Sequence, residues 1–198
     1  MKFFKFTLLL LLGSTLFFSC KKRGCSDPEA LNFDSNATKD DHSCYYFWVG
    51  QNYGGGRVFY IDQTGKHGLI SADFYLTPSG LPWGCGGENI TGADNTAVGS
   101  GLANTLDIVA SCGTGTAAFA CNELDTLGYS DWYLPSMEEM RGLSESLGKI
   151  GQANFTGAYH ITSSEIDQNN IWTVYGPNSA VVQIDKSSLG FVRPIRSF

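Results

Sequence analysis

Hydrophobic and polar positions change rhythm several times along this chain. The first apolar block, Phe6 to Phe18, follows Lys2 and Lys5 and is 13 residues long. That is short of the roughly 20 residues a membrane-spanning helix needs, and it has the layout of a processing signal. The next stretch is polar and turn-rich and cannot bury a core alone. From about residue 54 a strand texture appears. Arg57 to Asp62 and Gly68 to Ala72, joined by Gln63 to Lys66, predict a β-hairpin. A long glycine-rich passage, Thr77 to Gly101, follows with Trp83 and Cys85 embedded in it. So long a connection inside a compact domain is functional or cross-linked more often than idle. Helical spacing then predicts two helices. Leu102 to Ser111 has Leu102, Leu106 and Val109 as its apolar stripe, and Thr116 to Leu127 has Ala117, Ala120, Cys121 and Leu124. Strands return at Tyr159 to Ser163, Ile171 to Tyr175, Ala180 to Ile184 and Phe191 to Ile195. The turn-like separators between them predict a small antiparallel sheet closed by the C-terminal segment.

Between helices and sheet lies GYSDWYLPSMEEM, residues 128 to 140, whose aromatics, proline and paired acids have the look of a catalytic loop. Its spacing predicts architecture instead. Pro135 disfavours helix in the residue before it, and Ser136 precedes Glu139 by three positions, which is a capping box. Glu138 adds negative charge at the positive end of the helix dipole. The helix is expected to reach Leu147, burying Met140, Leu143 and Leu147. Adjacent acids on a helix do not face each other across a substrate. Trp132, Pro135, Ser136 and Glu139 are therefore expected to form a structural hinge.

Charge and cysteines narrow the setting. Thirteen basic against 19 acidic side chains give a formal net charge of −6. Loss of Lys2 and Lys5 with a leader makes the mature chain more acidic still. No basic cluster follows residue 23, so nucleic acid is not an expected partner. Phe17-Phe18-Ser19-Cys20 resembles a bacterial lipobox, which implies cleavage after residue 19, acylation of Cys20 and a membrane partner through that lipid. Lys21-Lys22 after Cys20, where inner-membrane retention calls for aspartate, points to the outer membrane of a cell envelope. An exported chain can keep disulfides. Five cysteines remain after Cys20. Cys25 and Cys44 bracket a short polar segment that a disulfide would shape. Cys85 with Cys112 would tie the glycine-rich passage to the first helix, leaving Cys121 as a buried small hydrophobe; Cys112 with Cys121 is the alternative.

Residues 25–46 resemble a small cysteine-bracketed module of secreted Gram-negative proteins, through Gly24-Cys25, Asp27-Pro28, Ala30, Asn32-Phe33, Ala37, Asp40-Asp41 and Ser43-Cys44. Residues 54–198 resemble the bacterial family named after the C-terminal domain of the Legionella collagen-like protein, a domain of unknown function. The shared landmarks are Gly55 to Tyr60, His67-Gly68-Leu69, Trp83-Gly84, Gly101 with Asn104-Thr105, Ala117-Ala118 with Cys121, Gly128 to Ser136 with Glu139, Ser163-Ser164-Glu165, Trp172 and Val192 to Phe198. Tyr159-His160 departs from the Tyr-Trp that members often carry. The resemblance implies an α+β, C-type-lectin-like fold, similar also to formylglycine-generating proteins, with small sheets, two or three helices and long loops. It further implies a surface module of adhesion type.

The layout expected is thus a leader over 1–19, a lipidated linker over 20–24, the small module over 25–46 and the lectin-like domain over 54–198. Glu165, Asp167, Asn169, Asn170, Trp172 and Tyr175 are the candidate contacts to a glycan or protein ligand, because acids, amides and aromatics suit sugar hydroxyls and sugar faces. Calcium is the one cofactor weighed. Asp34 and Asp40 are its candidate ligands, although the glycine and closing bidentate carboxylate of calcium loops are missing. The three histidines, His42, His67 and His160, have no metal-ligand spacing, and there is no Gly-x-Ser-x-Gly elbow. Formylglycine-generating chemistry uses a cysteine pair near the C-terminus, and no cysteine follows Cys121. The expectation is a non-enzymatic binding module, with a structural role in the envelope as the alternative.

Overall fold

The computed structural model describes residues 21–155 and 157–198. The expected leader over 1–19 and Cys20 lie outside the described residues. The chain divides into two compact units, one ending at Cys44 and one running from Tyr45 to Phe198.

The small unit has little core: Cys25 and Ala30 are its buried side chains. Its order comes from a disulfide between Cys25 and Cys44 and a two-residue parallel pairing of β1 (Arg23–Gly24) with β2 (Lys39–Asp40). Aspartates close successive turns by accepting backbone N–H groups two residues on, Asp34 from Asn36 and Asp40 from His42. Lys22 lies 2.8 Å from Asp34. Both calcium candidates are thus engaged locally, and among the described residues no group of three His, Cys, Asp or Glu converges as a metal cage.

Among its described residues the large unit has two antiparallel sheets and three α-helices. The first sheet has the order β3 (Asn52–Tyr53), β4 (Gly56–Ile61), β5 (Gly68–Ser71), β9 (Ile195–Ser197). The second has the order β6 (Tyr159–Glu165), β7 (Asn170–Tyr175), β8 (Ala180–Asp185). The mixed helix and sheet content is α+β. One expectation fails. The C-terminal strand does not close the second sheet but pairs with β5, Ile70 opposite Arg196. Before it, Phe191 meets the second sheet in a single bridge to His160. Pro194 explains the switch, since it has no N–H for a ladder and its carbonyl instead accepts from Ala72.

Helix α1 (Gly101–Cys112) forms where expected, with the opposite face inward. Leu102 and Leu106 are 47% and 51% exposed, while Gly101, Asn104, Thr105 and Ile108 are buried. The polar pair has partners: Thr105 accepts from Leu134 N–H at 3.1 Å and donates to Gly101 C=O at 2.7 Å, and the Asn104 amide N–H donates to Asn95 C=O at 2.7 Å, leaving its Oδ1 unpaired. Helix α2 (Ala117–Asn122) starts at the cap Thr116, which accepts from Phe119, and ends before the predicted Leu127.

Helix α3 (Met137–Leu143) carries the capping box. Ser136 accepts from Glu139 N–H, Glu139 accepts from Ser136 N–H at 2.7 Å, and a π-helical turn, Ser144–Gly148, extends the helix. Met140, Leu143 and Leu147 are fully buried, as are Trp132 and Leu134. The preceding residues hold the C-terminal strand. Tyr133 exchanges backbone hydrogen bonds with Ile195, and Asp131 takes Arg196 in a two-point pair at 2.7 and 2.8 Å. The Arg196 guanidinium also lies 3.9 Å over the Tyr129 ring.

The passage 77–101 contains no strand and is fastened by side chains. A disulfide joins Cys85 to Cys112, and Cys121 stays free and buried. Trp83, fully buried, donates its indole N–H to Thr162 C=O at 3.1 Å. Asn95 C=O accepts from Ser100, Asn104 and Ser164 side chains, and Ala97 C=O from Ser100 and Ser136. Glu139, 1% exposed, reaches beyond its own helix to accept from Gly99 N–H at 2.8 Å. Burial pushes its carboxyl pKa up. Gly101 is required here, since a Cβ would stand 2.2 Å from the Glu139 carboxylate.

Two tests follow from these contacts. Ser136→Ala removes the cap and the bond to Ala97, and is expected to cost about 1–2 kcal/mol in denaturant unfolding. The bonds from Arg196 hold the Asp131 carboxyl below its ordinary value. This pair therefore contributes fully above the ordinary carboxylate pKa, and its contribution is lost as pH falls through the depressed folded value. Asp131→Asn should cost about 1 kcal/mol at neutral pH, and thermal melts of variant and wild type should converge as pH drops below about 4.

Candidate functional site

The six predicted contact residues do not assemble into one surface. Glu165 is inside. It is 6% exposed, both its oxygens accept from Ile90 N–H, and it forms an ion pair with Lys186, which is fully buried. Lys186 also donates to Glu88 C=O at 2.6 Å and lies 4.4 Å from the Trp83 ring centre. Glu165 is thus first a structural ion-pair partner, and what little of it is exposed borders an open cavity with Asn89, Thr91 and Asp94. Asp167 is exposed but shapes its own turn, accepting from Asn169 and Asn170 N–H and from the Asn170 amide. Asn169 gives its carbonyl to Lys186 N–H. Asn170 and Tyr175 stand at opposite ends of β7, about 16 Å apart on strand spacing. Trp172, half-buried, shares a face with Asn170, and Tyr175 projects to the other face, its ring 5.6 Å from Tyr159.

The structure offers a different site. Where the π-helical turn after α3 meets the short 3-10 turn Gly176–Asn178 joining β7 to β8, a cavity of about 350 Å3 opens to solvent. That volume is in the range of small-ligand sites. Ser144, Lys149, Asn154, Phe155, Asn178 and Ser179 line it. Ser144, on the π-turn, donates to Gly176 C=O at 2.9 Å and shares a 2.8 Å hydrogen bond with the Ser179 hydroxyl. These bonds fasten the two turns to each other. Asn154 and Ser179 have φ of 49° and 58°. Two of the five non-glycine residues with left-handed backbone among the described residues thus border one cavity. Such strain, like π-turns, concentrates at binding and active sites.

Chemically the cavity presents an ammonium, two amides, two hydroxyls and an aromatic ring. It has no activated nucleophile, because the serine hydroxyls bond each other and a carbonyl, not a histidine or carboxylate. Two further groups are buried. Burial pushes the Cys121 thiol up, away from thiolate. His160, fully buried with Tyr75 Oη 3.0 Å from its Nε2, has a pKa lowered to about 4 by desolvation. Its ring packs edge-on against Phe155 at 4.7 Å, so the imidazole fills a packed aromatic site.

Sequence reasoning passed over these cavity residues. The available signal was the density of Gly, Ser and Asn in SESLGKIGQANF and GPNS, but polar turns of that kind give no indication that they meet in space. No family model matches the chain, and no curated protein matches it.

The reassignment of Glu165 is testable. Lys186→Met would leave a carboxylate buried without its cation and is expected to destabilise the protein by about 3–5 kcal/mol. Asp167→Ala should change stability by less than about 1 kcal/mol, since its turn is solvent-exposed. Comparable effects for the two substitutions in urea unfolding would overturn the structural role of the ion pair.

Proposed function

We propose that this is a lipid-anchored protein of the cell envelope, at the outer membrane, whose C-terminal domain is a lectin-like module. In this reading the domain binds a glycan or protein ligand in an adhesion-type role and does no chemistry of its own. The observation that carries the reading is the cavity between the π-helical turn and the β7–β8 turn. Its amides and two hydroxyls suit sugar hydroxyls, Phe155 offers a ring for a sugar face, and no nucleophile–base pair accompanies them. The resemblance of residues 54–198 to the domain of the Legionella collagen-like protein supports the same reading. Cys20 is the acylated residue, and the leader is removed.

A second reading, a structural role through self-association, is favoured by one observation. Leu102 and Leu106, one turn apart on α1, are half exposed, as is Val98 just before the helix. Apolar side chains in that arrangement suit a partner helix.

A glycan array probed with the purified protein separates the readings. Hits that are lost, or weakened at least about tenfold, in Phe155→Ala and Asn178→Ala but kept in Asp167→Ala place recognition in the cavity. Loss in Asp167→Ala alone returns it to the 165–172 turn. Silence on the array together with sedimentation as a dimer that Leu106→Glu dissociates supports assembly instead.

A further inference from the structure

Residues Tyr45 to Tyr53, YYFWVGQNY, carry no charge in a chain that is acidic elsewhere, and they are unusually exposed for their composition. Trp48 is 59% exposed, whereas Trp83 and Trp132 are buried. Tyr45, Tyr46, Val49 and Tyr53 are each 40% exposed or more. The segment is held in place by the large unit. Phe47 packs edge-on against Tyr53 and Phe198 at 4.8 and 4.5 Å, and Gly50 N–H donates to Val58 C=O at 2.8 Å. Gln51 N–H donates to Trp48 C=O, closing a turn with Gly50 at its third position, where φ is 94°. That geometry demands glycine and puts Val49 at the tip beside Trp48.

Covalent geometry limits how far this segment can be from residue 20. Five residue steps lead from Cys20 to Cys25, the disulfide puts the Cα atoms of Cys25 and Cys44 4.8 Å apart, and one step more reaches Tyr45. The reach is therefore at most about 26 Å, against about 90 Å for the same stretch without the disulfide. On the reading that Cys20 is acylated, on which this inference rests, the aromatic segment cannot leave the neighbourhood of the bilayer surface. Tyrosine and tryptophan are the side chains that settle at the boundary of headgroups and acyl chains, having an apolar body and a polar edge. The absence of carboxylates from the segment spares it repulsion from anionic headgroups.

We propose that Tyr45 to Tyr53 is a membrane-surface contact, in which Trp48 and Val49 enter the interfacial zone of the bilayer that holds the Cys20 lipid. The Cys25–Cys44 disulfide acts as the clasp that keeps them within reach. The full acylated protein, reconstituted into vesicles whose lipids are brominated near the headgroup, tests this. Trp48 emission, taken as the difference between wild type and Trp48→Phe, should be quenched and blue-shifted. The quenching should be largely lost in the Cys25→Ser/Cys44→Ser double variant, although that protein still floats with the vesicles. Flotation with no quenching of Trp48 overturns the membrane contact and leaves the anchor standing. Absence of both flotation and acyl mass on the Cys20 peptide overturns the lipoprotein reading and this proposal with it. Full quenching in the double variant overturns the clasp. A Trp48 shift produced by soluble glycan in place of lipid assigns the segment to ligand binding and overturns its membrane role.

Discussion

Backbone N–H and C=O groups taken out of water must find partners, and the passage from Thr77 to Gly101 has no strand ladder to supply them. Much of the large unit is arranged around that constraint. Glu165 serves Ile90, Glu139 serves Gly99, and Asn95 C=O receives three side-chain donors. Lys186 serves Glu88, and Trp83 crosses to Thr162. Each group left unmet would cost about 1–3 kcal/mol, so buried polar residues here substitute for the missing sheet. The same residues fix where α1, α3 and β6 start and stop, because the loop they fasten lies among those elements.

This explains which parts of the fold were legible in the sequence. Periodicity and caps are local, and they placed the hairpin, α1, α3 and the strands β6 to β8. The direction in which α1 faces was not local. Leu102 and Leu106 outrank Asn104 and Thr105 on any hydrophobic scale, yet the polar pair turned inward because Leu134 and Asn95 offered partners from distant segments. The destination of the last strand was likewise decided at long range, by pairing with β5 and Tyr133. Ser163-Ser164-Glu165 was visible as a group and its role was not. An acid beside an exposed turn and an acid beneath one read identically until Lys186 is seen above it.

The candidate cavity shows the same limit from the other side. Its walls come from two turns that are far apart in the chain, and neither has a distinctive sequence. What marks the place is their joint geometry: a widened helical turn, two left-handed residues and a pair of serines that bond across the gap. These turns sit at the ends of α3 and of the β7–β8 hairpin, so the cavity borrows rigidity from regular elements while its lining stays free to vary.

Strand β9 completes the first sheet from the far end of the sequence, beside a hairpin laid down more than a hundred residues earlier. Its other flank is Tyr133, and Arg196 reaches from it to both Asp131 and Gly54. The large unit therefore cannot complete its first sheet until residues 195–197 pair with β5. Contacts between segments so far apart in the chain carry a large loop-closure cost, and until they form the β5 edge of the sheet stays unfilled.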